Sequence, residues 1–338
     1  MSAEPGTADI VLAGGGVKGI GHVGALAALE AAGMRFPRVA GTSAGSIVGA
    51  LLAAGMPTAR MLEVMRELDW SRFRDQTRRD RIPVLGPGLS LWLENGVYEG
   101  AYLVEWLEQQ LAEMGVETFA DLRQRDDSGS ALSRDQAYRL VVMAADITRG
   151  ELVRLPWDYR DRYGLDPDSQ RVVDAVRASM SIPVFFEPVR LTHGDGSVST
   201  LVDGGLLSNF PIDVFDRSDG RPPRWPTLGL TLLPRLPLGN VQIFPWLGVV
   251  KRGLPHFLEC VITTTVVGRD QGHLSKPWVH ARTIEIETAA AGVVDFDLDP
   301  AARTTLHEAG AAAARRFLEG WDWEDYLVRF RSGGAAVT

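Results

Sequence analysis

Between Ile10 and Ser46 the chain makes two strand-to-helix turns in quick succession, and any fold must accommodate both. A short apolar strand, Ile10-Val11-Leu12-Ala13, enters the glycine-rich turn Gly14-Gly15-Gly16-Val17-Lys18-Gly19. A helix follows, then a second short strand around Val39 and Ala40, then Gly41-Thr42-Ser43-Ala44-Gly45-Ser46. The second turn is a Gly-x-Ser-x-Gly pentapeptide. A serine held on so tight a turn needs glycine at both flanks, here Gly41 and Gly45, because a Cβ there would crowd the adjoining strand and helix. Its hydroxyl then stands at a helix N-terminus, where the dipole and free N–H groups favour developing negative charge. Gly14, Gly15 and Gly16 offer further unobstructed N–H groups, so the two turns point to one acyl-transfer site.

The order strand, helix, strand, helix implies parallel strands joined by right-handed crossovers. The helix from Val17 to Ala32 is apolar or small all round and stops at Gly33; the next, Ser43 to Ala54, stops at Gly55. Thr58 is expected to cap a third, amphipathic helix running to Leu68. Periodicity fails between Asp69 and Gly100, which reads as a lid or insertion. A helix is expected over about Tyr102 to Met114, an exposed loop over Ser128 to Ser133, and strands over Tyr138 to Ala145 and Glu151 to Leu155 around a turn. Val172 to Met180 reads as helix and Thr200 to Val202 as a strand entering Asp203-Gly204-Gly205. Further strands are expected over Thr227 to Leu233 and Val279 to Ile286, and helices over Leu258 to Val267 and Arg303 to Leu318. Residues 1–8 read as a flexible N-terminus, 9–320 as one α/β domain with its lid at 70–100, and 321–338 as a C-terminal tail.

Composition removes several functional classes. A net charge of −8 argues against a general nucleic-acid surface, although Arg72, Arg74, Arg78, Arg79 and Arg81 form a local basic run, read either as a solvated face or as contact with anionic phospholipid. The single cysteine, Cys260, permits no internal disulfide, and Cys and His are not spaced for zinc; no metal or other cofactor is expected. The polar, acidic start lacks a secretory pattern, and no apolar run is long enough to span a bilayer, so the expectation is a cytoplasmic enzyme. The tryptophan-bearing stretches Leu89 to Leu93 and Ile243 to Val250 read equally as core or as interfacial loops.

A serine nucleophile needs a base: an aspartate acting directly, or a histidine oriented by one. Asp203, at a strand end, is a candidate for either role. A Ser-Asp-His triad could draw on His256, His273 or His280, but none lies in a glycine-flanked strand-end loop, and Ser43 follows the second strand rather than several strand-helix units. Gly14-x-Gly16-x-x-Gly19 alone also fits a dinucleotide fingerprint, which expects an acidic residue about twenty positions on. Arg38-Val39-Ala40-Gly41 occupies that place. Lys18 reads either as a contact for an anionic head group or as a solvated lysine, and His22 as a satisfied core histidine.

Together these blocks resemble the patatin-like phospholipases, serine lipid acyl hydrolases with a Ser-Asp dyad and a three-layer α/β fold, helices on both faces of a mostly parallel sheet. Gly14-Gly15-Gly16-Val17-Lys18-Gly19 resembles the family's oxyanion loop, Gly41-Thr42-Ser43-Ala44-Gly45 its nucleophile motif and Asp203-Gly204-Gly205 its Asp-Gly-Gly motif. Ala178 to Phe186 and Asn209-Phe210-Pro211 are similar to the flanking segments, with Ser181 where alanine is commoner. The resemblance implies Ser43 as nucleophile, Asp203 as base, and the N–H groups of Gly15 and Gly16 as oxyanion donors on a turn shaped by Gly14. Gly204, Gly205 and Lys18 are candidate substrate contacts. It implies a phospholipid or other acyl-lipid substrate and peripheral contact with a membrane. The competing expectations are an acyltransferase or small-ester hydrolase on the same dyad, or a lipid-binding module without catalysis.

Overall fold

Continuous apolar runs such as Ile10-Val11-Leu12 have no polar face to offer solvent, and a strand of that kind is stable when covered on both sides. The structure, a computed structural model, describes residues 6–68, 72, 100–124, 132–183, 186–219, 221–232, 274–288 and 299–331. Among them the strands are β1 (Asp9–Leu12), β2 (Val39–Thr42), β3 (Leu140–Asp146), β4 (Glu151–Leu155), β5 (Val189–Thr192), β6 (Val198–Asp203), β7 (Thr227–Thr231) and β8 (Thr283–Glu285). They form one sheet whose hydrogen-bonded pairing runs β5 to β6 to β3 to β2 to β1 to β7 to β8, with β4 paired to the edge of β3 opposite β2 and β6. The pairs β1–β2, β1–β7, β2–β3 and β7–β8 are parallel, and those of β3 with β4, β3 with β6 and β5 with β6 are antiparallel. The α/β architecture expected from the sequence is borne out.

The helices are α1 (Ile20–Ala31), α2 (Ala44–Ala53), α3 (Thr58–Glu67), α4 (Ala101–Glu113), α5 (Tyr159–Tyr163), α6 (Val172–Ser179), α7 (Pro277–His280), α8 (Pro300–Gly320) and α9 (Trp323–Phe330). The apolar character of α2 is explained by its burial at every position, packed on β1 and β2, while α1 is buried over its first two turns and at Leu29 and is crossed by α8. At that crossing a Cβ on Gly24 would stand 1.9 Å from the His307 carbonyl oxygen, so the close approach requires glycine.

Several local expectations are corrected. Val17–Gly19 belongs to a 3-10 turn over Gly16–Gly19 that precedes α1, because the glycine-rich start does not sustain α-helical hydrogen bonding. Thr58 does not cap α3; its hydroxyl donates to Glu30 Oε2 at 2.7 Å and ties α3 to α1. Val279 to Ile286 is α7 followed by β8, since Pro277 starts a helical turn. Part of the tail is helical as α9, anchored by buried Tyr326. Arg38, found where a dinucleotide fold would carry an acid, is buried and its Nε donates to Asp9 Oδ1 at 2.9 Å. The expected lid at 70–100 apart from Arg72 and Gly100, the basic run beyond Arg72, most of the expected loop at 128–133, the expected helix at 258–267 and the stretch 243–250 lie outside the described residues.

Candidate active site

The register of β3 decides how the site is assembled. At Val142 and Met143 this strand pairs with β2 and with β4, so those two lie on opposite edges. At Ala144 to Asp146 it pairs with β4 and with β6, which are likewise opposed. Hence β2 and β6 share one edge of β3 and meet there end to end. Thr42 is the last β2 residue, opposite Met143, and Asp203 is the last β6 residue, opposite the next position, Ala144. Ser43 must leave the sheet at this junction, and it does so abruptly, with φ 51 and ψ −128. A non-glycine residue there is strained, and such strain persists where surrounding contacts over-determine the backbone.

Those contacts are present. The Ser43 N–H donates to Ser179 Oγ at 2.8 Å, from the end of α6, and its carbonyl accepts from Ser46 Oγ at 2.5 Å. The flanking glycines have the steric role expected of them: a Cβ on Gly41 would stand 2.3 Å from the Gly45 carbonyl oxygen, and one on Gly45 would stand 2.3 Å from that of Leu12. The Ser43 hydroxyl lies 3.7 Å from Met180 Sδ.

Asp203 is 3 % exposed and Ser43 5 %. Burial pushes the Asp203 carboxyl up to about 6, against the pull of hydrogen bonds from Ser43 and from the Gly205 N–H, the latter at 2.7 Å. A carboxylate with that affinity is ionised at neutral pH yet able to accept a proton. Gly204 lies over β3, where a Cβ would be 2.5 Å from the Met143 carbonyl oxygen.

The glycine turn faces Ser43: a Cβ on Gly14 would come within 3.0 Å of Ser43 Cβ. The Gly14 N–H donates to the Asn209 carbonyl at 3.3 Å. The N–H groups of Gly15 and Gly16 have no acceptor among the described residues, and Gly16 takes φ 58, a conformation favouring glycine. Lys18 is not solvated, as one reading had it: it is 4 % exposed, desolvation lowers its amine to about 8, and Nζ donates to Thr288 Oγ1 at 3.2 Å. His22 is a core histidine, as expected, but only half satisfied: Nε2 lies 2.8 Å from the Ala13 carbonyl oxygen, Nδ1 has no partner among the described residues, and desolvation lowers the ring to about 4. Of the three histidines considered for a triad, His256 and His273 lie outside the described residues, and His280 is exposed on α7 beside Glu285.

The patatin-like phospholipase model matches residues 10–216. The chain belongs to the patatin-like phospholipase family. It is 34% identical over 319 residues to YqhO, an uncharacterized protein of Bacillus subtilis, covering 93% of this chain and 99% of that one. An uncharacterized NTE family protein of Mycobacterium tuberculosis is 27% identical over 327 residues, or 92% of this chain; the chain spans only 46% of that relative's length. Among solved structures, VipD from Legionella pneumophila superposes with a TM-score of 0.52 at 17% identity, over 94% of this chain and 67% of VipD, a likeness of fold. Membership supports a lipid acyl hydrolase in general terms. No described helix is long and apolar enough to cross a membrane.

The sequence named Ser43, Asp203 and the glycines but assigned no role to Ser179, Met180 or Asn209. Each lies in a segment noted for its family resemblance, and that was the available signal.

Proposed function

We propose that this patatin-like protein hydrolyses fatty-acyl esters of phospholipids or related lipids through an acyl-Ser43 intermediate. The observation that carries the reading is the end-to-end meeting of β2 and β6 on β3, with a strained Ser43 beside a buried Asp203. Asp203 takes the Ser43 proton as Oγ attacks the ester carbonyl. The N–H groups of Gly15 and Gly16 stabilise the oxyanion, an effect concentrated in the transition state. Collapse expels the alcohol, which regains a proton from Asp203. Water, deprotonated by the same carboxylate, then releases the fatty acid. Gly204 and Gly205 hold Asp203 in position against β3, and Lys18 contributes positive charge beneath the glycine turn. The enzyme meets its substrate at a membrane surface without spanning it.

The test is release of fatty acid from p-nitrophenyl esters of several chain lengths and from phospholipid vesicles. Wild type should be active, with Ser43→Ala and Asp203→Asn folded and inactive. A wild type inert on every ester, with Ser43 unlabelled by a fluorophosphonate, sinks the reading in favour of a binding module. Undiminished activity in Asp203→Asn sinks the dyad.

A further inference from the structure

We propose that Asn209 is a positioning residue that aims the oxyanion donors, an inference that rests on the hydrolase reading above. Asn209 holds Gly14 from both sides: its carbonyl accepts the Gly14 N–H, and its Nδ2 donates to the Gly14 carbonyl oxygen, each at 3.3 Å. The Gly14 C=O and the Gly15 N–H belong to a single planar trans peptide and point in opposite directions. Anchoring the oxygen on Asn209 therefore turns the Gly15 N–H to the other side of the turn and holds it there. The fit leaves no slack, since a Cβ on Gly14 would lie 2.2 Å from Asn209 Oδ1.

Asn209 is also joined closely to the proposed base. The Gly205 N–H returns to Asp203, and the N–H groups of Leu207 and Ser208 both reach the Gly204 carbonyl, at 3.0 and 2.9 Å. This short hydrogen-bonded turn carries the chain from Asp203 to Asn209. One rigid segment thus sets the base with one end and the donor turn with the other, so the two are held in a common frame.

The test uses the full chain with Asn209→Asp, which keeps the shape but has no hydrogen to offer the Gly14 carbonyl, and Asn209→Ala, which keeps the backbone bond. Kinetics on p-nitrophenyl butyrate are compared with binding of a trifluoromethyl ketone, which forms a tetrahedral oxyanion on Ser43, and of a non-hydrolysable ether analogue. Displaced donors should lower kcat about a hundredfold in both variants and weaken the ketone in proportion. KM and ether binding should stay within about twofold, because donors aimed at the oxyanion act in the transition state. Retention of kcat within threefold in either folded variant overturns the proposal. A parallel loss of ether binding, or unfolding of both variants, also overturns it by giving Asn209 a purely structural role. A wild type that neither hydrolyses the ester nor labels with fluorophosphonate overturns the hydrolase reading and this inference together, before any variant is compared.

Discussion

The parallel and antiparallel parts of the sheet are built on different terms, and the site lies where they meet. In the parallel part, β1, β2 and β7 are buried at every position, and each of the first two runs directly into a glycine-bearing turn. Local sterics shape those turns. In the antiparallel part, β5 alternates between half-buried and exposed residues, and β6 becomes fully buried only as it approaches Asp203. A strained serine turn shaped by nearby sequence thus meets a carboxylate delivered from far along the chain. On the proposed mechanism, each part alone lacks half of the dyad.

The sharpest way to break this picture is a mutant cycle across the junction. Ser43→Ala and Asp203→Asn should each lower kcat by about 10⁴ or more, and the double variant should be no worse than the poorer single one, because residues acting as a unit are non-additive. Additive losses, measured by fatty-acid release, would separate the two parts.

Next in size is the energetic consequence of burying a carboxylate. Asp203 is raised from 3.8 to about 6, so the folded state holds its proton to higher pH than the unfolded state. Its contribution to stability is therefore fully present below about pH 4 and is lost as pH rises through about 6. Two units amount to roughly 3 kcal/mol. Asp203→Asn keeps the acceptor for the Gly205 N–H and should be more stable than wild type at pH 8 by up to that amount, with no gain at pH 4; urea melts at both values check it. The wild-type rate should fall tenfold per unit below about pH 6 as the base is protonated.

Gly24→Ala probes the helical layer on the parallel side. Its Cβ would meet the His307 backbone oxygen, so a cost of about 1–3 kcal/mol is expected from overpacking. The kcat of the folded protein should not change, since α1 and α8 hold the fold rather than the site. A thermal melt alongside the ester assay distinguishes the two effects.

Ser179→Ala should give the smallest effect, about a fivefold loss of kcat, matching one hydrogen bond of about 1 kcal/mol. It removes the acceptor of the Ser43 N–H across 136 positions of sequence. Ser179→Thr, which restores an oxygen, should recover part of the rate. Equal rates in all three proteins would mean that the strained turn is held from the parallel side alone.

How much was legible follows the same division. The glycines at 14–16, 41 and 45 and the serine at 43 could be read because adjacent residues dictate a tight turn and a bare N–H. Thr58 was misread and Lys18 left open, since each answer depends on a partner elsewhere, Glu30 and the Thr288 hydroxyl; the 279–286 segment was misread because the helical turn that Pro277 begins runs into it, a local signal that was overlooked. Asn209 carried a visible family resemblance but no visible role, because its partner, Gly14, is at the other end of the domain.

By itself, then, the sequence determined the two strand-turn-helix units and the α/β class, because backbone sterics and hydrophobic periodicity act over a few residues. Tertiary structure alone decided that β6 returns antiparallel onto the edge of β3 that β2 has just vacated, bringing Asp203 beside Ser43. Strand pairing supplies a hydrogen-bonding edge to whichever segment packs there best, and that choice depends on the whole core rather than on the residues flanking either end.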